Sequence, residues 1–338
     1  MRVERFSLSL ARPLDTARGR IDAREGVLVW VTDAEMPGVG ETTPLPGWTE
    51  GRDEAFAALA AADAETPLSA LDRTPAARHG LATARLDAAA RRASESLAAR
   101  LAGATRRPAD TVPVNATIGD DPPDETAARA REAVDEGFDC LKIKVGARPV
   151  ADDTKRLRAV REAAPDATLR ADANGAWDEE TARAAIAAVA DHGVDLAYVE
   201  QPLPADDLAG HRRLRETTET PVALDESLAE FGVDEVRSAD AADVVVLKPM
   251  ALGGPDRAVT AAKRAHEAGI DAVVTTTVDA VVARTAAVHV AAAIPNDLAC
   301  GLATGSLLTE DLYPDPAPVK SGSVAVPDDP GLAGATFD

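Results

Sequence analysis

Five ionisable residues recur in this chain at intervals of one structural unit: Lys144, Asp172, Glu200, Asp225 and Lys248 are spaced 28, 28, 25 and 23 residues apart. Each stands at the end of a short apolar run: "CLKIKV", "TLRADA", "LAYVE", "PVALDE" and "VVVLKP". Three carboxylates gathered in a protein interior cannot all stay ionised without a compensating cation. An all-oxygen ligand set with open positions suits Mg2+, which keeps some water and accepts a substrate oxygen. A divalent ion beside two lysines also disfavours their ammonium forms, so a neutral amine becomes available as a base. Lys142 leaves the same face of its strand as Lys144 and pushes in the same direction. Metal and amine together suit one reaction type, removal of a proton next to a carboxylate. Arg170 shares the inward face with Asp172 and fits either a substrate anion or a structural ion pair.

Each motif has a plainer reading when taken alone. "KIK" can be the solvated face of an edge strand, "DANG" a turn and helix cap, and "VEQP" and "LDES" ordinary strand ends. Their recurrence at the ends of five successive strands is what carries the chemistry. Lysine usage sharpens the point: the chain has six lysines against thirty arginines, and two of the six lie in "DCLKIKVG". Arginine cannot lose its proton and so cannot serve as a base.

Bringing five strand ends to one point requires a particular architecture. After residue 110 short apolar runs alternate with amphipathic helices. Strands are expected at 112–117, 140–145, 168–173, 196–200, 221–226, 244–249, 271–277 and 298–304. Helices include Glu125–Glu136 and Asp178–Asp191, with Gly137 and Gly193 as left-handed caps just beyond them. Eight strands with seven long connections predict an α/β fold, a parallel barrel of the (β/α)8 type with its last helix missing or replaced. Its strand ends ring one mouth. A doubly wound sheet would carry a glycine-rich phosphate loop after its first strand, and "NATIGDDPPDE" is not one. Before residue 110, "VERFSLSL" and "GVLVWVTD" read as antiparallel strands joined by the turn "ARPLDTARGRID". Helical patterns follow at Glu54–Ala64 and Ala76–Ala102. The tail "PAPVKSGSVAVPDDPGL" reads as loop and strand returning to the N-terminal sheet.

The formal charge of −21 argues against nucleic acid and anionic membranes as partners, and 3% aromatics argue against base-stacking platforms. Acidic, lysine-poor composition resembles that of cytosolic proteins from salt-loving organisms. The N-terminus "MRVERFSLSLARPL" lacks the apolar core of a signal peptide, and no apolar run is long enough to span a bilayer, so a cytoplasmic location is expected. Cys140 and Cys300 have no metal-type spacing and are expected as buried thiols. His79, His192, His211, His266 and His289 fall on helices or their ends, in packing or surface roles.

"LKIKVG", "LRADANGAW", "VEQPL", "ALDES" and "VVVLKPMALGG", in this order and spacing, resemble the muconate-lactonizing subgroup of the enolase superfamily. Lysine or histidine bases working with Mg2+ are an established property of that superfamily. The resemblance implies a (β/α)7β barrel over residues 111–305. It also implies an α+β capping domain, built from residues 1–110 and the tail 306–338. "RPLDTARGRIDAREGVLV", "GETTPLPGWTE", "VPVNATI" and "GLATGSLLTED" are most similar to the o-succinylbenzoate synthase family. By position, that family implies Asp172, Glu200 and Asp225 as Mg2+ ligands, with Mn2+ as a substitute. Lys144 becomes the base for the α-proton and Lys248 the electrostatic partner of the enediolate. Arg170, Thr275 and Gly301 match substrate-contacting positions, with Lys142 and Asn174 in support. Thr275 departs from the serine often found there. The loop Thr16–Ile21 is expected to close over the ligand.

The implied activity is a hydro-lyase step of menaquinone biosynthesis, syn-dehydration of 2-succinyl-6-hydroxy-2,4-cyclohexadiene-1-carboxylate to o-succinylbenzoate. The partner is then a small-molecule carboxylate, and a homo-oligomer is compatible with it. Muconate cycloisomerase and N-acylamino acid racemase use the same lysines and remain open. Dipeptide epimerases carry an Asp-x-Asp after the eighth strand that "GLATGSL" does not offer. Mandelate-racemase-like members carry a His after strand seven, and "VVTTTVD" has none. A non-catalytic binding protein is the reading from another class, and three mutually repelling acids argue against it.

Overall fold

The computed structural model describes residues 1–16, 19–104 and 106–338, with the side chains of 14–16 and 19 outside the description. Part of the expected closing loop, Thr16–Ile21, therefore lies outside the described residues. Three antiparallel strands open the chain: β1 (Arg2–Thr16), β2 (Gly19–Asp33) and β3 (Met36–Thr42), in the order β1-β2-β3. The expected turn over 11–22 is instead the outer part of a long hairpin. Its register shifts between Ser9 and Leu14 and resumes with Leu14 opposite Ile21. Pro13 lies inside that shift, where a residue without an N–H does least harm to the ladder.

α1 (Arg52–Ala60) and α2 (Pro75–Ala93) cover this sheet, packing Ala77, Leu81, Ala84 and Ala88 on Val27, Val29 and Val31. The single helix expected over Ala76–Ala102 is broken. Ser94 turns left-handed at φ 56°, and α3 (Leu97–Ala102) starts afresh with Ser96 accepting the Ala99 N–H at 3.3 Å. Leu97 N–H donates to the Gly331 carbonyl at 2.7 Å, so the C-terminal tail satisfies a donor that a continuous helix would have bonded internally.

The expected strand 112–117 is two strands, β4 (Thr111–Pro113) and β5 (Ala116–Ile118). β5 opens a seven-stranded parallel sheet. Its order runs on through β6 (Cys140–Lys144), β7 (Thr168–Asp172), β8 (Leu196–Glu200), β9 (Val222–Leu224), β10 (Val244–Leu247) and β11 (Asp271–Val274). The helices between them are α4 (Pro123–Asp135), α5 (Val150–Ala163), α6 (Glu179–Asp191), α7 (Leu208–Thr217) and α8 (Glu226–Ser238), then the short α9 (Pro249–Leu252) with α10 (Pro255–Glu267). α11 (Val281–Ala293) follows β11. Gly137 and Gly193 close α4 and α6 in left-handed backbone, as expected.

The sheet curls, and the expected eighth strand, 298–304, shrinks to two residues. Cys300 N–H donates to the Pro113 carbonyl at 2.8 Å, and Asn115 N–H to the Cys300 carbonyl at 3.0 Å. Gly301 N–H donates to the Val274 carbonyl at 2.9 Å. The tail forms β12 (Val319–Lys320) and β13 (Ser323–Ala325), and β13 pairs with β4, not with the N-terminal sheet as expected. Val324 lies opposite Val112 and both are buried, so apolar burial decides where the tail goes. Among the described residues, no helix is long and apolar enough to cross a membrane.

α11 joins the N-terminal layer to the curled sheet. No side chain of its own caps it, and its free N–H groups take carboxylates from elsewhere. Glu41, at the end of β3, accepts Ala280 N–H and Ala283 N–H, both at 2.8 Å, and the Thr43 hydroxyl at 2.5 Å. Asp311 accepts Val281 N–H at 2.9 Å. Burial, and then the negative charge of Asp279, push the Glu41 carboxyl up from 4.5 to about 7. A carboxyl raised in the folded state contributes fully below about 4.5, and its contribution is lost as pH rises through about 7. Glu41→Gln puts an amide that can only donate against one of these donors, so a stability loss of about 1–3 kcal/mol is expected. Thermal melts at constant high salt should show wild-type stability declining between about pH 4.5 and 7 more steeply than that of the variant; parallel declines would refute the assignment.

Candidate active site

The register of the parallel strands sets the site. Lys142, Arg170 and Tyr198 lie side by side on β6, β7 and β8, and one layer higher so do Lys144, Asp172 and Glu200. β9 and β10 stop just before Asp225 and Lys248. The strand ends open on a cavity of about 1260 Å3. Lys142, Lys144, Asp172, Asn174, Asp225, Lys248 and Thr275 line it, with Leu45 and Trp48 from the N-terminal region. Glu200 is 1% exposed and lies behind Lys142.

The lysines stand between the acids. Lys142 Nζ is 2.9 Å and 3.0 Å from the two Glu200 oxygens and 3.0 Å from Asp172 Oδ2. Lys144 Nζ donates to Asp172 Oδ2 and to Asn174 Oδ1, both at 2.7 Å. Lys248 Nζ bonds Asp225 Oδ2 and lies 3.2 Å from the centre of the Trp48 ring. The protonation preferences follow. Burial pushes Glu200 up to about 7, reinforced by the charge of Asp172. Burial likewise raises Asp225 to about 6 despite Lys248. Burial acts upward on Asp172 too, but Lys142 and Lys144 outweigh it and hold that carboxyl well below the usual range. Lys142 is disfavoured as an ammonium by burial, yet Asp172 and Glu200 more than reverse this. Lys142 is thereby held as an ammonium between its two acids.

As arranged, no group of three or more acid, His or Cys side chains among the described residues is gathered tightly enough to hold a metal ion. The donor set nevertheless fits a hard cation. Asp225 Oδ1 is buried without a hydrogen-bond partner, as is Oε2 of the adjacent Glu226. Four carboxylates (Asp172, Glu200, Asp225, Glu226) face three ammonium groups, so the cluster is short of positive charge. A divalent ion on these oxygens would supply it.

Some of the backbone strain lies at the same place. Asn174 (φ 46°), Gln201 (φ 40°) and Val278 (φ 61°) are left-handed non-glycine residues just beyond β7, β8 and β11. Such conformations cost about 1–3 kcal/mol each and persist only where surroundings enforce them. Asn174 accepts from Lys144 and donates Nδ2 to Glu226 at 3.0 Å. Gln201 Oε1 accepts the backbone N–H of Asp225 and of Ser227, both at 3.1 Å, bracing β9's end from β8.

Thr275 donates its hydroxyl to the Gly301 carbonyl at 2.8 Å, and a Cβ on Gly301 would meet Thr275 Oγ1 at 2.6 Å. Gly301 therefore serves close strand approach. Arg170 does not line the cavity. It stacks 4.6 Å from the centre of the Tyr198 ring, donates Nη1 to the Ala299 carbonyl at 2.6 Å, and makes no carboxylate pair among the described residues. Neither reading of Arg170 from its strand position describes that placement. Both cysteines are buried and free, and no histidine reaches the cavity. Trp48, Gln201 and Glu226 were not singled out beforehand. The last two adjoin acids that were, while Trp48 arrives from a distant loop that no periodicity marks.

Residues 125–338 match the enolase C-terminal domain-like family, and the chain belongs to that family. Among its relatives, the o-succinylbenzoate synthase of Thermobifida fusca is 44% identical over 215 residues, 61% of this chain and 64% of the relative. The L-Ala-D/L-Glu epimerase of Bacillus subtilis is 32% identical over 228 residues, 66% of this chain and 62% of the relative. Both matches span just under two thirds of the relative's length. A dipeptide epimerase from Enterococcus faecalis, solved with Mg and the dipeptide L-Leu-L-Tyr, superposes with a TM-score of 0.88 at 28% identity, covering 98% of each chain.

Removing Lys142 leaves Glu200 buried without a partner. Lys142→Met is expected to lose about 3–5 kcal/mol in denaturant unfolding with chelator present, and adding Glu200→Gln should recover part of it. A Lys142→Met protein as stable as wild type would show that the pair is not held as described.

Proposed function

We propose that the chain is a Mg2+-dependent hydro-lyase that converts 2-succinyl-6-hydroxy-2,4-cyclohexadiene-1-carboxylate to o-succinylbenzoate by syn-dehydration. The observation that carries this is the placement of Lys144 and Lys248. They end strands four places apart in a curled sheet and face one cavity beside Asp172 and Asp225. The 44% identical synthase supports the choice of substrate. In fold terms, we read residues 111–305 as a (β/α)7β barrel, capped by residues 1–110 and 306–338. The bonds of Cys300 and Gly301 to the two edges of the sheet support that reading.

Asp172, Glu200 and Asp225 would hold the metal. Bound there, Mg2+ would supply positive charge to these carboxylates and draw electron density from the substrate carboxylate. Lys144, freed from Asp172 and neutral, takes the proton from the carbon next to the carboxylate, and the bonding pair moves into the carboxylate as an enediolate. Lys248, held as ammonium across the cavity, balances that charge. Trp48 covers one side of the Lys248 ammonium and limits water there. The electron pair then returns, the C–O bond at the β-carbon breaks, and Lys144 gives its proton to the departing hydroxyl, which leaves as water. One residue handles both protons because both groups leave the same face, and aromatisation of the ring drives the step. Residues 301–307 carry no acid to hold a substrate ammonium, which favours this reading over dipeptide epimerisation.

The test is loss of the diene's ultraviolet absorbance with purified protein, Mg2+ and high salt. Turnover is expected in that sample alone, with EDTA abolishing it and Lys144→Ala reducing it by about 10²–10⁴-fold. Mg2+ should also raise the melting temperature of wild type and not of Asp225→Asn. A protein that binds Mg2+ but leaves the diene intact would redirect the assignment to N-acylamino acids or muconate.

A further inference from the structure

We propose that Arg156, with Asp153, is a positioning residue that sets the reach of Lys144 from behind the strand; this rests on the reading of Lys144 as the base. β5 ends at Ile118, opposite Ile143, so Lys144 has no rung on that side. The carbonyls of Gly119 and Lys144 run on past the last pair. Buried carbonyls beyond the last rung need donors from elsewhere. Arg156, fully buried on α5, supplies them: Nη2 donates to Gly119 O at 2.6 Å and Nη1 to Lys144 O at 2.7 Å. Its Nε donates to the Asp121 carbonyl at 2.8 Å. Asp153 completes the clamp. One of its oxygens accepts Arg156 Nη1 at 2.7 Å and the other accepts Gly146 N–H at 2.8 Å.

The guanidinium thus replaces a missing rung of the sheet and fixes the backbone on both sides of Val145. Arg156 is absent from the cavity wall, so it reaches the chemistry only through the main chain. The dependence is real because the Lys144 side chain is 35% exposed and its two partners, Asp172 and Asn174, are themselves at the site. Were a cation to occupy Asp172, backbone placement would be what aims the amine. Lysine cannot substitute for Arg156, since one ammonium cannot span two carbonyls and a carboxylate in a plane.

The test compares wild type, Arg156→Lys and Asp153→Asn, measuring kcat and KM on the cyclohexadiene carboxylate at saturating Mg2+ and amide hydrogen exchange along the chain. In Arg156→Lys, kcat should fall roughly tenfold to a hundredfold while KM stays within about threefold, because misaiming a reacting group affects the transition state and not substrate binding. Exchange should quicken at Val145 and Gly146 and not at Ala171–Ala173, with Asp153→Asn giving the same pattern more weakly. Unchanged kcat in folded Arg156→Lys overturns the proposal. So does quickened exchange throughout the sheet, which would make the arginine merely structural. If wild type itself fails to turn over the diene, the proposed reaction fails, and local exchange at Val145 and Gly146 alone decides whether the clamp holds the strand end.

Discussion

Asp172, Glu200 and Asp225 are buried side by side at the ends of β7, β8 and β9, and each must find positive charge within a few ångströms. Much of the local structure follows from that need. Lys142 spans two of the acids and Lys248 meets the third. Asn174 and Gln201 adopt left-handed backbone to place their amides on neighbouring strand ends. An apolar replacement of comparable volume would be easier to fold around, so stability alone does not account for the cluster's composition. Its shortage of positive charge and the orphaned Asp225 oxygen point the same way.

The N-terminal layer is tied to the sheet through the start of α11. Glu41 from β3 and Asp311 from the segment after Gly301 accept three backbone N–H groups at that helix's start, those of Ala280, Val281 and Ala283. Arg24 adds donations to the carbonyls of Thr43, Pro44 and Val278. The same helix follows directly on the Thr275–Val278 wall of the cavity, so the contact that docks the N-terminal layer also steadies one wall of the site. Leu45 and Trp48 enter the cavity from the loop just beyond Glu41. Docking and the shape of the site are therefore mechanically linked.

Much of this was legible in the residues, for a physical reason. A strand buried on both faces must be apolar, so a polar residue recurring at its end stands out, and Lys144, Asp172, Glu200, Asp225 and Lys248 do. The parallel sheet and its helices were legible from period and glycine caps. Contacts between distant segments were not. The break at Ser94 depends on Gly331, the split of 112–117 on Val324, and the shrinking of 298–304 to Cys300 and Gly301 on how the sheet's two edges meet. Arg170 illustrates the same limit: its face was right, but its depth placed it against Tyr198 and Ala299, below the cavity.

The division between the two basic residue types closes the argument. Buried guanidinium groups do structural work here: Arg24 and Arg156 bond runs of backbone carbonyls, and Arg284 holds Asp311 and Asp315 together. Their charge is permanent and their donors are fixed in a plane, which suits joints that must not change. Three of the six lysines, Lys142, Lys144 and Lys248, line the cavity, where an ammonium on a flexible stem can release a carboxylate, give up a proton or take one back. In a chain so strongly biased towards arginine, half of the lysines stand at this one cavity, where the proposed chemistry would need a charge that is not fixed.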